Sequence, residues 1–197
     1  MRRRQLLVST LRGATGVAGL TALSLLPRPR EALALGGTLP ELDAAAPAFS
    51  LTGVAPGLDD SGAASAVATE LALADFAGSW LVLYFYPRDF TGGCTLEARG
   101  FQRDLQAFQR AGAAVVGVSA DDPDSHASFC SEEGLAFPLL SDPGGAVSQR
   151  YGSWIAPFSQ RHTFLIDPGG VIRSRWVAVR PSGHSREVLE ELQRLQA

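Results

Sequence analysis

An α/β fold, with a central mixed sheet sandwiched between two helical layers, follows from three features of the sequence. Trp80 to Tyr86 (WLVLYFY) and Ala114 to Ser119 are continuous apolar runs of strand-forming residues, as expected of strands buried on both faces. Each run is followed by a segment with helical periodicity, so strand and helix alternate. Near the end, His162 to Ile166 and Val171 to Val177 flank Asp167-Pro168-Gly169-Gly170, a turn that pairs two strands. The 197 residues suffice for one domain with a full core, and 46% apolar with 19% charged residues is ordinary for a globular protein.

Taken in order, residues 1–34 read as a leader and 35–197 as the folded domain. MRRRQLL opens the leader, a weakly apolar stretch runs from Gly13 to Leu26, Pro27-Arg28-Pro29-Arg30 follows, and Ala32-Leu33-Ala34 offers a small-residue cleavage site. This layout predicts a twin-arginine export signal, delivering the domain to a periplasm or thylakoid lumen; an Arg-rich plastid transit peptide and an uncleaved surface anchor are the alternatives. Fourteen residues of modest hydrophobicity, followed by Pro and Arg, are too short to span a bilayer, so no stable membrane insertion is expected after processing. The leader carries six Arg and one Glu, +5, which leaves -8 on the rest of a chain whose total is -3. That acidic balance argues against nucleic acid or an anionic membrane surface as partner. All basic residues are arginine, from which no partner follows.

Within the domain, Ala48 to Leu51 reads as a short first strand, and Gly53 to Ala66, rich in Gly, Ala, Ser and Asp, as an inserted loop without a packing pattern. After the Trp80 run, apolar positions at Cys94, Ala98, Phe101, Leu105 and Phe108 follow helical spacing. Asp122 and Pro123 are an N-cap and first-turn proline for a helix ending at Gly134. A segment at Phe137 to Leu140 and a helix near Ala146 to Tyr151 come next. Ser185 to Leu195 closes the chain as an amphipathic helix with Val188, Leu189, Leu192 and Leu195 inward. The order is that of a thioredoxin-like three-layer sandwich.

The chemistry concentrates where the Trp80 strand meets the next helix, in YFYPRDFTGGCTLEARGF. Cys94 stands in the helix's first turn on its inward face. Burial opposes ionisation of its thiol, whereas free backbone N–H groups, the positive end of the helix dipole and a nearby guanidinium favour it. A lone cysteine is ordinarily a small buried hydrophobe. Here Gly92 and Gly93 admit a ligand to the backbone, the Thr91 hydroxyl can donate to an anion or a peroxide oxygen, and Pro87 stiffens the strand exit, so the balance turns to a reactive thiolate.

P-x-x-x-T-x-x-C, filled by Pro87, Thr91 and Cys94 and followed by Thr95 and Glu97, resembles the peroxiredoxin signature, and the surrounding run resembles the Q branch, or bacterioferritin comigratory proteins. VVGVSADDPDSHASF, LAFPLLSDPGGAVSQRYG and RHTFLIDPGGVIR extend the resemblance over most of residues 45 to 195. The resemblance implies a monomeric thiol peroxidase without metal or prosthetic group, reducing hydrogen peroxide and small organic hydroperoxides and recycled by a thioredoxin-like donor. It makes Cys94 the peroxidatic nucleophile, with Thr91 and the Cys94 amide holding the peroxide and Pro87 shielding the sulfur. It assigns Arg161 to stabilising the thiolate, with Glu97 orienting the guanidinium; a surface arginine and a solvated first-turn carboxylate are the plain alternatives. The commoner Q-branch resolving position holds Arg99, while Cys130, 36 residues past Cys94, resembles the less common Q-branch arrangement with the resolver on that helix; core filler beside Phe129 is its alternative. A different class, a non-catalytic redox sensor or holdase using the same disulfide, would be told apart by stoichiometric rather than repeated peroxide consumption.

Overall fold

The computed structural model describes residues 33–34, 36–58 and 61–197; the leader, apart from Leu33 and Ala34, lies outside the described residues. Seven strands make the central sheet: β1 (Ser50–Leu58), β2 (Ala64–Ala72), β3 (Trp80–Phe85), β4 (Ala113–Ser119), β5 (Leu139–Ser141), β6 (His162–Ile166) and β7 (Ile172–Trp176). Four helices accompany them: α1 (Gly92–Arg110), α2 (Pro123–Glu133), α3 (Ala146–Arg150) and α4 (His184–Gln196). The sheet order is β7-β6-β3-β4-β5-β1-β2, parallel for β3 with β4 and for β4 with β5, antiparallel elsewhere. The mixed sheet and the thioredoxin-like layering agree with the sequence expectation.

The two faces of β3 show how the layers form. Val82, Tyr84 and Tyr86 point into one core with Cys94, Phe101, Leu105 and Phe108 of α1, Phe129 and Cys130 of α2, and Val188 and Leu192 of α4. Leu81, Leu83 and Phe85 point into the other core, with Val147 of α3, Tyr151 and Phe164. A strand alternates its side chains, so an uninterrupted apolar run is required to feed both cores. Asp122 caps α2 by accepting from the Ser125 N–H (2.8 Å), Pro123 follows, and Gly134 ends the helix in the left-handed conformation (φ 61°) that a side chain would strain.

Within Gly53 to Ala66, residues 53–58 and 64–66 are strand rather than loop. They belong to the β1–β2 pair, in continuous register from Ser50↔Ala72 to Leu58↔Ala64. The small residues that hid it are structurally required: a Cβ at Gly53 would sit 2.1 Å from the Leu139 carbonyl oxygen, so only glycine lets β1 lie against β5. Among the described residues no helix is long and apolar enough to cross a membrane.

Candidate active site

β3 runs out of the sheet at Phe85, and β6, antiparallel beside it, starts there: His162 pairs with Phe85. That register brings Arg161, one residue before β6, to the same end of the sheet as the loop that leads into α1. Thr91 is the N-cap of α1, with extended backbone (φ -87°, ψ 141°), and its carbonyl accepts from Thr95 N–H (2.9 Å). Its hydroxyl makes no capping bond but donates to the Arg88 carbonyl (3.0 Å). The amides of the first turn, Cys94 included, are therefore left without a cap from the N-cap side chain, pointing out of the helix's positive end.

Cys94 is 1% exposed. Arg161 Nη2 donates to its Sγ (3.3 Å), and Nη1 of the same guanidinium donates to Glu97 Oε2 in a short ion pair. Cys94 and Glu97 are three residues apart on one helical face, so a single planar cation reaches both. Gly93 makes room for it: a Cβ there would stand 3.1 Å from Arg161 Nη2. Glu97 is buried, not a solvated carboxylate, and its Oε1 has no hydrogen-bond partner. Burial, partly countered by Arg161, pushes its carboxyl up to about 7. For Arg161 burial opposes the charge, but Glu97 and the Cys94 sulfur outweigh it and hold the guanidinium above its ordinary value. The two shifts pull the pair in opposite directions; the guanidinium stays charged throughout, and it is Glu97 that titrates.

Cys130 lies on the inward face of α2 in the same core as Cys94, and both are free thiols. Burial, and then the charge of Asp89, push the Cys130 thiol up to about 12. Pro87 is half-buried at the strand exit, as expected of a residue that fixes the loop's path. His162 and His184 are buried, and burial lowers both from the ordinary imidazole value.

The structure adds a group that motif reading passed over. Asp89, in the loop before α1, is buried and accepts hydrogen bonds from Tyr86 Oη (2.8 Å), Ser125 Oγ (2.8 Å) and His126 Nδ1 (2.9 Å). Its backbone N–H donates to Asp121 Oδ2 (2.8 Å), which also accepts from Ser119 Oγ (2.7 Å). The signal was present in the spacing of His126, Phe129 and Cys130, which puts the histidine on the inward face of α2 where a polar side chain needs a partner.

Comparison with known proteins places these observations. The AhpC/TSA family pattern matches residues 42–175. Peroxiredoxin Bcp of Xanthomonas campestris pv. campestris is 41% identical over 133 residues, 63% of this chain and 82% of that one. The chloroplastic peroxiredoxin Q of Populus jackii is 39% identical over 129 residues, 64% of this chain and 61% of that one. A solved structure of the Xanthomonas campestris bacterioferritin comigratory protein, described through its alkyl peroxide reduction activity, superimposes with a TM-score of 0.64 at 34% identity, covering 73% of this chain and 91% of that one.

Proposed function

The chain belongs to the AhpC/TSA family and is a peroxiredoxin, a thiol peroxidase enzyme, and we propose that it reduces hydrogen peroxide and small organic hydroperoxides at Cys94 and resolves the product with Cys130. The observation that carries this reading is the Arg161 guanidinium, which touches the Cys94 sulfur and the Glu97 carboxylate at the start of α1. The Cys94 thiolate attacks one peroxide oxygen; an S–O bond forms, the O–O bond breaks, and the departing oxygen leaves as water or alcohol after taking a proton. Arg161 and the uncapped amides of the first turn stabilise the charge that grows on the departing oxygen. Thr91 Oγ turns from the Arg88 carbonyl to the peroxide, and Pro87 keeps water from the sulfur. Alkyl peroxides enter the proposal through the Xanthomonas relative.

The sulfenic acid on Cys94 then condenses with the Cys130 thiol, forming the disulfide and releasing water. Both sulfurs start buried on different helices, so the first turn of α1 unwinds to let them meet. A thioredoxin-like dithiol in the protein's own compartment returns both cysteines to thiols, and the enzyme works as a monomer. Peroxidase assays on wild type, Cys94→Ser and Cys130→Ser, each with thioredoxin and with a small thiol, test the scheme. Cys94→Ser loses turnover with either reductant. Cys130→Ser loses turnover with thioredoxin but keeps it with the small thiol. Wild-type turnover in Cys94→Ser would overturn the assignment.

A further inference from the structure

Between the loop before α1 and the helix that carries Cys130 lies a buried polar cluster that the peroxide chemistry does not use. Asp89 sits in the loop, five residues before Cys94; Ser125 and His126 are on α2, and His126 stands one turn before Cys130. Burying a carboxylate 4% exposed is tolerable only when its oxygens are satisfied, and two of its three donors come from α2. The carboxylate assigns the His126 proton to Nδ1. Nε2 is buried without a partner. Next to this cluster Phe90, in the left-handed region (φ 57°), packs edge-on against Phe129 at 5.1 Å. Beyond the anchored pair come Gly92 and Gly93, and nothing stands within 4 Å of a Cβ placed on Gly92.

We propose that the Asp89–His126 pair, with Ser125, is a latch that positions the second half of the catalytic cycle: it fixes the pivot from which the first turn of α1 unwinds and holds α2 in register to receive Cys94. The inference rests on Cys130 being the resolving cysteine. Unwinding confined to the residues after Phe90 swings Cys94 from a fixed point, and the same bonds keep Cys130 where that swing ends. When the latch is opened, both elements wander and the effective concentration of one sulfur at the other falls. An apolar pair would pack the loop onto α2 without setting its angle so sharply. Asp89, Ser125 and His126 are thus positioning residues; they touch neither sulfur.

The test separates the two steps. Purified wild type, His126→Leu, His126→Asn and Ser125→Ala are mixed with about five equivalents of hydrogen peroxide, so that a sulfenic acid left unresolved meets a second oxidant molecule, and quenched over time. Mass spectrometry counts Cys94 as thiol, trapped sulfenic acid, disulfide with Cys130, and sulfinic acid. All four consume the first equivalent at the same rate within about twofold, while His126→Leu forms the disulfide about tenfold more slowly and accumulates sulfinic acid. Asn at 126 returns a donor near the Nδ1 position and recovers most of the rate; Ser125→Ala, which leaves the packing intact, falls between. Disulfide formation at the wild-type rate in His126→Leu and Ser125→Ala overturns the latch, as does an equal slowing of both steps in Ser125→Ala, the deciding variant if His126→Leu does not fold. Absence of a Cys94–Cys130 disulfide in wild type itself sinks the resolving role of Cys130 and the latch with it.

Discussion

At the sulfur of Cys94 one guanidinium has two duties, and they can be separated by substitution. Arg161→Ala removes both the donor to Sγ and the partner of Glu97, leaving a buried carboxyl with no cation; the second-order rate with peroxide, followed by single-turnover kinetics, falls about a hundredfold or more. Arg161→Lys recovers only part of it, because a point charge cannot span Sγ and Oε2 as a planar fork does. Glu97 gives a separate test by pH. Its carboxyl is raised from 4.5 to about 7 in the fold, so its contribution to stability is fully present below pH 4.5 and is lost as pH rises through 7. Denaturant unfolding at pH 4.5 and pH 8 therefore shows wild type losing about 3 kcal/mol relative to Glu97→Gln over that interval. Equal pH dependence in the two proteins would mean Glu97 is ionised throughout. The meeting of Cys94, Glu97 and Arg161 was legible in the sequence because Cys94 and Glu97 share one motif and Arg161 stands at the head of a second stretch that carries the family resemblance. Asp89 was not, and His126 only as an inward-facing polar residue of its helix, because the two meet only when a loop and a helix 37 positions apart in sequence pack together.

At the level of elements, α1 must be stable enough to hold Cys94 against Arg161 and loose enough at its first turn to release it. Gly92 sets that compromise. It is the first helical residue, where the N–H has no intrahelical acceptor, and Thr91 before it already has the extended backbone (ψ 141°) that a following proline demands. Gly92→Pro is thus expected to fit without strain, to stabilise the fold by about 0.4–1 kcal/mol in denaturant unfolding, and to slow Cys94–Cys130 disulfide formation far more than the first peroxide reaction, which loses only one of the first-turn amides. A disulfide rate equal to wild type would place the hinge elsewhere. The helices were readable because their apolar spacing and caps are local: Asp122, Pro123 and Gly134 each occupy the expected position on α2. The β1–β2 hairpin was not, since its edge position leaves alternate residues exposed, and Gly and Ala carry no period for the eye to follow. Its evidence is a backbone ladder and a close approach at Gly53, neither of which a side-chain pattern records.

For the molecule as a whole, the charge partition of +5 over residues 1–34 and -8 over the remainder frames a testable boundary. The paired arginines are the ground for the twin-arginine proposal, under which the domain would cross already folded. Packing onto the domain is in place by Gly36, whose carbonyl accepts from Trp154 N–H (3.0 Å), and Leu39 is buried in the second core. A Cβ on Gly152 would meet the Thr38 carbonyl oxygen at 2.7 Å, so this segment lies tight against the turn after α3. Cleavage after Ala34 would therefore spare these contacts, whereas cleavage a few residues later would not. Mass spectrometry of the protein from its native host should find a mature N-terminus near residue 35, and an intact Met1 would refute processing. In parallel, a chain starting at residue 35 should unfold at the same denaturant midpoint as the full chain. One starting at residue 41, without Leu39 and the Gly36 contact, should lose about 2–3 kcal/mol. Equal stability of the two truncated chains would show that residues 36–40 only lie on the domain and that the boundary falls beyond them.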